Sequence, residues 1–173
     1  MEVNKIPKYD LKKDNFLVKI YWKRVTLNTF KMLGDVKSKK ILDFGCGDKF
    51  IKPFLKNVKY YGYDIDKEKT EINDYKKKKP DIFLSIHSLE YLGQEELELL
   101  FKHLCNIKCK RLVIALPTEN ILSTIILKIL RRPSHRGRKS KLYQVKKILS
   151  KYYLINREKS VVTMTKIYDC YLK

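Results

Sequence analysis

The sequence predicts an α/β domain built on a single, mostly parallel sheet, with helices on both faces and an antiparallel strand pair at its C-terminal end. Three observations predict it. Short apolar runs of the buried-strand type alternate with helical patterns. The first of these runs passes straight into a turn holding Gly45 and Gly47. Two extended segments, at 152–156 and 161–171, close the chain with the spacing of a strand pair. The length of 173 residues suits one domain. A hydrophobic share of 44% is enough for a real core, which excludes wholesale disorder.

Taken in order, residues 1–13 are polar and read as a lead-in. Asp14 or Asn15 caps a helix running to about Leu33, and Gly34 stops it. Val18, Tyr21, Trp22 and Val25 fall on one face of that helix. Residues 1–37 are therefore set apart as a basic helical extension, and 38–173 as the domain proper. A strand at 40–44 leads into the glycine turn, and a short helix is expected over 49–56. A second strand spans 59–64. The polar stretch 66–80 has room for one short strand near 71–73. The third strong strand, 81–86, runs into His87 and Ser88. Glu95, Glu96 and Glu98 near the start of the next helix, with Lys102 and His103 near its end, suit the helix dipole. Leu97, Leu100, Phe101 and Leu104 form its apolar stripe. A buried strand at 110–116, an amphipathic helix at 120–132, a basic loop and a helix at 142–150 complete the chain before the final pair.

The charge is unevenly spread. The net formal charge is +20, from 39 Lys and Arg against 19 Asp and Glu. Residues 41–119 are nearly balanced, with 14 basic and 13 acidic, whereas 1–40 carry a net +7 and 120–173 a net +12. Four of the seven arginines, Arg131, Arg132, Arg136 and Arg138, crowd into one stretch. The planar fork of arginine suits phosphate, so the flanks are expected to meet an anionic partner. No apolar run reaches the roughly 20 residues of a membrane span, and the N-terminus has no signal-peptide core. Cys46, Cys105, Cys109 and Cys170 show neither a zinc-knuckle spacing nor a disulfide framework. A reduced, cytoplasmic protein without a metal site is the expectation.

Chemistry concentrates in a strand, the turn Asp43-x-Gly45-x-Gly47, and a second strand ending at Asp64. Glycines at such a turn accept positive φ and let the backbone approach a ligand closely. A carboxylate at the tip of the neighbouring strand can accept hydrogen bonds from both hydroxyls of a ribose. The third position of a dinucleotide fingerprint is Phe50, not glycine, so a pyrophosphate-binding pattern fails. No phosphate-binding GxxxxGK[ST] loop is present either. An adenosyl ligand without phosphates is what remains.

On these residues the chain resembles class I S-adenosylmethionine-dependent methyltransferases. ILDFGCGDKF (41–50) looks like their first motif and YYGYDID (60–66) like their second strand with its ribose-binding acid. PDIFLSIHSLEYL (80–92) is similar to their fourth strand and following turn, close to the small-molecule "type 11" branch. KRLVIALP (110–117) fits the fifth strand, and the C-terminal layout is similar to the closing helix and strand pair of that branch. The resemblance covers about 38–173 and implies a Rossmann-like fold, the cofactor S-adenosyl-L-methionine and a methyl transferase activity. It implies that Gly45, Cys46 and Gly47 line the methionine end of the cofactor and that Asp43 orients its amino acid part. Asp64 would hold the ribose, Ile65 or Asp66 would border the adenine, and Asn73 or Asp74 would face its amino group. Ser85, Ile86 and His87 would frame the transfer cleft. Two departures stand out. Asp64 and Asp81 are only 17 positions apart, so the helix after the second strand is cut down or missing. Asp48 and Lys49 occupy positions where the family often has a small residue and glycine.

His87 is the candidate general base, being near-neutral in pKa and placed at the cleft. Cys46, between two glycines, reads as a packing residue rather than a nucleophile. Tyr21, Trp22, Arg131, Arg132, His135, Arg136 and Arg138 are candidate substrate contacts. The acceptor is expected to be anionic, with RNA and a phosphorylated small molecule both open. Basic flanks and the aromatics Tyr21, Trp22 and Tyr143 favour RNA. The absence of an Asn-Pro-Pro-Tyr or Pro-Cys motif after the fourth strand speaks against it. The alternative is a non-catalytic methyltransferase-like protein that binds nucleic acid or a partner. The sequence leaves the acceptor atom and the oligomeric state open.

Overall fold

The computed structural model describes residues 16–121, 123–125 and 137–173. Helix α1 (Phe16–Leu33) opens the described chain. Strands β1 (Lys40–Phe44), β2 (Lys59–Tyr63) and β3 (Ile82–Ile86) follow. Helix α2 (Gln94–Asn106) then leads to β4 (Arg111–Pro117), and helix α3 (Leu142–Tyr152) to the pair β5 (Tyr153–Val161) and β6 (Thr165–Leu172). One six-stranded sheet results, in the order β2-β1-β3-β4-β6-β5. The first four strands run parallel and β6 is antiparallel to both of its neighbours. The predicted architecture and the helices on both faces are present.

Burial on both faces explains the strand sequences. In β1 every residue but Lys40 is buried, as a parallel strand sandwiched between helices requires. Successive side chains point to opposite faces, so Leu42 joins one core and Ile41 the other. The first core packs α2 and α3 onto the sheet through Leu97, Phe101, Val145 and Leu149 against Leu42, Phe83 and Leu112. The second sets Val25, Met32 and Leu33 of α1 against Ile41, Leu84, Val113 and Ile167. The helix of the N-terminal segment is therefore a layer of the same domain, packed on β4, β5 and β6. Gly34, with φ +66°, ends it at the expected position.

Three local expectations are corrected. In place of a helix over 49–56 there is a single 3-10 turn, Lys52–Phe54. Lys49 adopts φ +57°, and Pro53, lacking an N–H, cannot extend a helix begun at 49. The strand expected near 71–73 is absent, so β2 is the sheet edge. Glu71 N and Ile72 N both donate to the carbonyl of Gly62, which ties this segment to β2 at one point and not through a ladder. A 3-10 turn, Tyr75–Lys77, follows it. Finally, β5 continues through the polar residues 156–160 because its outer edge faces solvent. Of the helix expected over 120–132, residues 121 and 123–125 are helical. Residues 122 and 126–136, and with them the candidates Arg131, Arg132, His135 and Arg136, lie outside the described residues. Among the described residues no helix is long and apolar enough to cross a membrane.

Candidate functional site

Parallel pairing of β1 with β2 and β3 brings the carboxyl ends of these strands to one edge of the sheet, where ligands of open α/β sheets bind. A cavity of about 270 Å³ lies there. Its wall is made by Asp43–Asp48 at the end of β1, Tyr63–Asp66 at the end of β2, Ile86–Ser88 at the end of β3 and the turn Glu90–Leu92. Trp22 and Thr26 of α1, with Phe50, Ile51, Lys69 and Arg138, complete it.

The glycine turn is shaped by its neighbours. The N–H groups of Gly45 and Cys46 both donate to the carbonyl of Tyr63, at 2.7 and 3.0 Å, which locks the turn to the end of β2. Gly45 has φ +73° and lies so close to Ser88 that a Cβ there would stand 2.0 Å from Ser88 Oγ. Gly47, with φ +48°, faces open space instead, with nothing within 4 Å of a built Cβ. That opening is where a ligand can reach the backbone. Asp64 is held by two amides, Gly47 N–H on Oδ2 at 2.8 Å and Asp66 N–H on Oδ1 at 2.9 Å. Each oxygen keeps a further lone pair, and Asp64 lines the cavity.

Asp43 is only 3% exposed. Burial pushes its carboxyl up to about 7, and the hydrogen bond donated by Tyr60 OH at 2.6 Å offsets part of that rise. The buried Cys46 thiol is pushed up to about 12, by burial first and then by Asp43. A thiol so raised is a poor nucleophile at neutral pH.

His87 stands in the cavity wall with φ +53°. Its Nε2 is 2.7 Å from Thr165 Oγ1 of β6, which in turn is 2.5 Å from Tyr21 OH. The edge of Trp22 packs against the imidazole at 5.0 Å between centroids. Burial, helped by the charge of Arg138, lowers the histidine to about 3. A neutral ring of such low basicity, with Nε2 already engaged, leaves only Nδ1 for chemistry and does not suit the general-base role.

The remaining candidates divide. Gly45, Cys46, Gly47, Asp64, Ile65, Asp66, Ile86, Trp22 and Arg138 line the cavity. Ser85 does not; it is 1% exposed and its hydroxyl donates to the carbonyl of Phe44, so it braces β1 from behind. Asn73 and Asp74 also lie off the wall: Asn73 is exposed, and Asp74 caps a 3-10 turn by accepting from Lys76 N–H. Tyr21 stands behind His87 and steadies Thr165. The sequence reading missed Glu90, Tyr60, Ser88 and Thr165. Only Glu90 left a signal, a lone acid inside the otherwise apolar stretch 89–92.

Electrostatically the cavity is the reverse of the chain. Asp43, Asp48, Asp64, Asp66 and Glu90 line it against Lys69 and Arg138, and Lys69 is paired with Asp48 at 2.8 Å. An acid-lined pocket in a protein of net charge +20 suits a ligand with positive charge.

No protein-family model matches the chain, and no curated protein matches it. Solved structures do. Magnesium protoporphyrin IX methyltransferase from Synechocystis PCC 6803, with bound S-adenosylhomocysteine, is 18% identical and superposes with a TM-score of 0.67 over 93% of this chain and 89% of its own. A SAM-dependent methyltransferase from Aquifex aeolicus is 17% identical, with a TM-score of 0.65, over 96% of this chain and 100% of its own. A protein from Pyrococcus horikoshii OT3 gives a TM-score of 0.69 at 15% identity, over 98% and 97% of the two chains. The chain thus has the class I methyltransferase fold.

Proposed function

We propose that this chain is an S-adenosylmethionine-dependent methyltransferase acting on a small acceptor that carries negative charge. The observation that carries the reading is the meeting, in one acid-lined cavity, of Asp43, the Gly45–Gly47 turn and the oriented carboxylate of Asp64. The residues fit the cofactor. The open space over Gly47 admits its backbone-facing part, and Asp64 offers lone pairs to ribose hydroxyls. Asp43, buried and raised toward neutrality, gains from a nearby cation. When bound, S-adenosylmethionine supplies an electrophilic methyl on a positively charged sulfur. The protein's share is to orient the acceptor against it and exclude water. A small acceptor is favoured over RNA because two of the three stacking candidates, Tyr21 and Trp22, pack against His87, which leaves Tyr143 alone exposed for stacking. Arg138, in the cavity wall, is the group that would read the negative charge.

Calorimetric titration with S-adenosylmethionine and S-adenosylhomocysteine tests the reading, and failure of folded protein to bind either would sink it. Asp64→Ala should weaken S-adenosylhomocysteine binding by roughly 1–3 kcal/mol, the value of charge-assisted bonds to the ribose. An unchanged titration curve would mean that the cofactor lies elsewhere.

Binding should also depend on pH. Asp43 titrates near 7 when folded, against 3.8 for the ordinary carboxyl. The protein without ligand therefore has the stability contribution of this group in full at low pH and loses it as pH rises through about 7. A cationic ligand binds better to the ionised form, so affinity for S-adenosylmethionine should rise from about pH 6 to about pH 8. Glu90, raised to about 7 in the same cavity, adds a slope of the same sign. Calorimetry across that range with Asp43→Asn and Glu90→Gln separates the two contributions; a flat wild-type profile would contradict both.

A further inference from the structure

Glu90 is a buried acid of the cavity wall that feels the charge of Arg138. It sits in the 3-10 turn Leu89–Tyr91, directly after β3, and is 3% exposed. Its backbone carbonyl accepts from the N–H groups of Lys139 and Ser140, at 2.8 and 3.1 Å, which fixes the turn against the segment carrying Arg138. Its Oε1 stands 3.9 Å from Nδ1 of His87. Its Oε2 is buried and has no hydrogen-bond partner among the described residues. A carboxylate oxygen removed from water without a donor is costly to the fold. Such a group in a cavity wall is matched to a donor that a ligand brings.

Resting on the methyltransferase reading, we propose that Glu90 faces the methyl acceptor and takes the proton from its hydroxyl or N–H group. The acceptor atom's lone pair forms the bond to the methyl carbon while the carbon–sulfur bond breaks, its electron pair going to sulfur. The acceptor's proton passes to Oε2 of Glu90 and from there to solvent. One positive charge on sulfur and one negative charge on the carboxylate vanish together, a change that a water-poor cavity favours. His87 is a positioning residue here, with Nδ1 beside Oε1 and Nε2 held by Thr165. The substrate class follows: acceptors whose methylated atom begins as a neutral hydroxyl or N–H. Burial raises Glu90 to about 7, which suits a proton acceptor at neutral pH.

The test needs no knowledge of the acceptor. Sinefungin is an analogue of the cofactor in which a carbon bearing an amino group replaces the methylsulfonium, so it presents an N–H donor where the methyl would face the acceptor. The wild type should prefer sinefungin to S-adenosylhomocysteine. Glu90→Gln should lose that preference by roughly tenfold or more, with S-adenosylhomocysteine affinity kept within about twofold. Equal loss for both ligands would assign Glu90 to the cofactor's amino acid part and overturn the proposal. Unchanged preference, or no preference in the wild type, would overturn it too. Wild type that binds neither ligand would instead defeat the methyltransferase reading itself. Should Glu90→Gln fail to fold, a crystal structure of the wild type with sinefungin decides. The amine within hydrogen-bond distance of Oε2 supports the assignment, and water on Oε2 with the amine elsewhere refutes it.

Discussion

Gly45→Ala should destabilise the protein by roughly 2–5 kcal/mol and abolish measurable S-adenosylhomocysteine binding. Two costs add. At φ +73° an alanine pays the left-handed penalty, about 1–2 kcal/mol. The new Cβ would also stand 2.0 Å from Ser88 Oγ and 2.3 Å from Ser88 Cβ. A rotamer change moves Oγ but not Cβ, so the turn or the start of the 3-10 segment must shift, at about 1–3 kcal/mol for such overpacking. Because Ser88 Oγ also lies within hydrogen-bond reach of the Gly45 carbonyl, at 3.2 Å, the shift would move both walls of the cavity. Gly47→Ala is the control. Its φ of +48° carries the conformational cost alone, with no atom in the way, so thermal unfolding should separate the two variants clearly. In Gly45→Ala/Ser88→Gly the overpacking cost should disappear and leave about 1–2 kcal/mol. Equal stability of the two alanine variants would show that the contact with Ser88 is not tight.

The alternation of strands and helices, the end of α1 at Gly34 and the stripe of α2 were all readable, because each rests on local periodicity or on one residue's backbone preference. What escaped was decided by tertiary contacts. Nothing in the polar stretch after Asp64 announces that Glu71 and Ile72 will share the one carbonyl of Gly62 rather than begin a ladder. The turn between β5 and β6 has Val162 and Thr163 at φ +50° and +54°. Branched residues disfavour that conformation, so local preference ran 162–163 into the second strand of the expected pair and did not mark them as its turn.

The site divides along the same line. Asp43, Gly45, Gly47 and Asp64 were legible because they sit at strand ends, where parallel pairing makes position in sequence equivalent to position in space. Glu90, Tyr60 and Thr165 were not, since their roles depend on what they face. Tyr60 reaches Asp43 from the next strand, and Thr165 meets His87 across 78 positions of chain. Asn73 and Asp74 were drawn in by resemblance to a region that this chain has shortened. With no strand formed near 71–73, that segment turns toward Lys76 and leaves the cavity to Asp64, Ile65 and Asp66.

Asp169→Ala should cost roughly 3–5 kcal/mol, because it strips a buried carboxylate from two arginines. Asp169 on β6 is fully buried; its Oδ1 accepts from Arg111 Nε at 2.7 Å and its Oδ2 from Arg157 at 2.6 and 2.9 Å. The carboxylate holds both guanidinium groups at the end of α1. Arg111 donates to the carbonyls of Leu33 and Met32, at 2.9 and 2.8 Å, and Arg157 to that of Met32 at 3.0 Å. These carbonyls belong to the last helical turn, which has no partners within the helix and carries its negative end. Asp169 therefore docks α1 onto the sheet through its neighbours. The same helix brings Trp22 against His87, so loosening it should be felt at the cavity. Trp22 is the protein's single tryptophan, and its fluorescence should shift to the red in Asp169→Ala at temperatures where the sheet remains folded by circular dichroism. Arg157→Ala, which removes a half-exposed arm and leaves Arg111 in place, should lose much less. A variant with unchanged melting temperature and emission would show that the hydrophobic contacts of α1 alone hold it on the sheet.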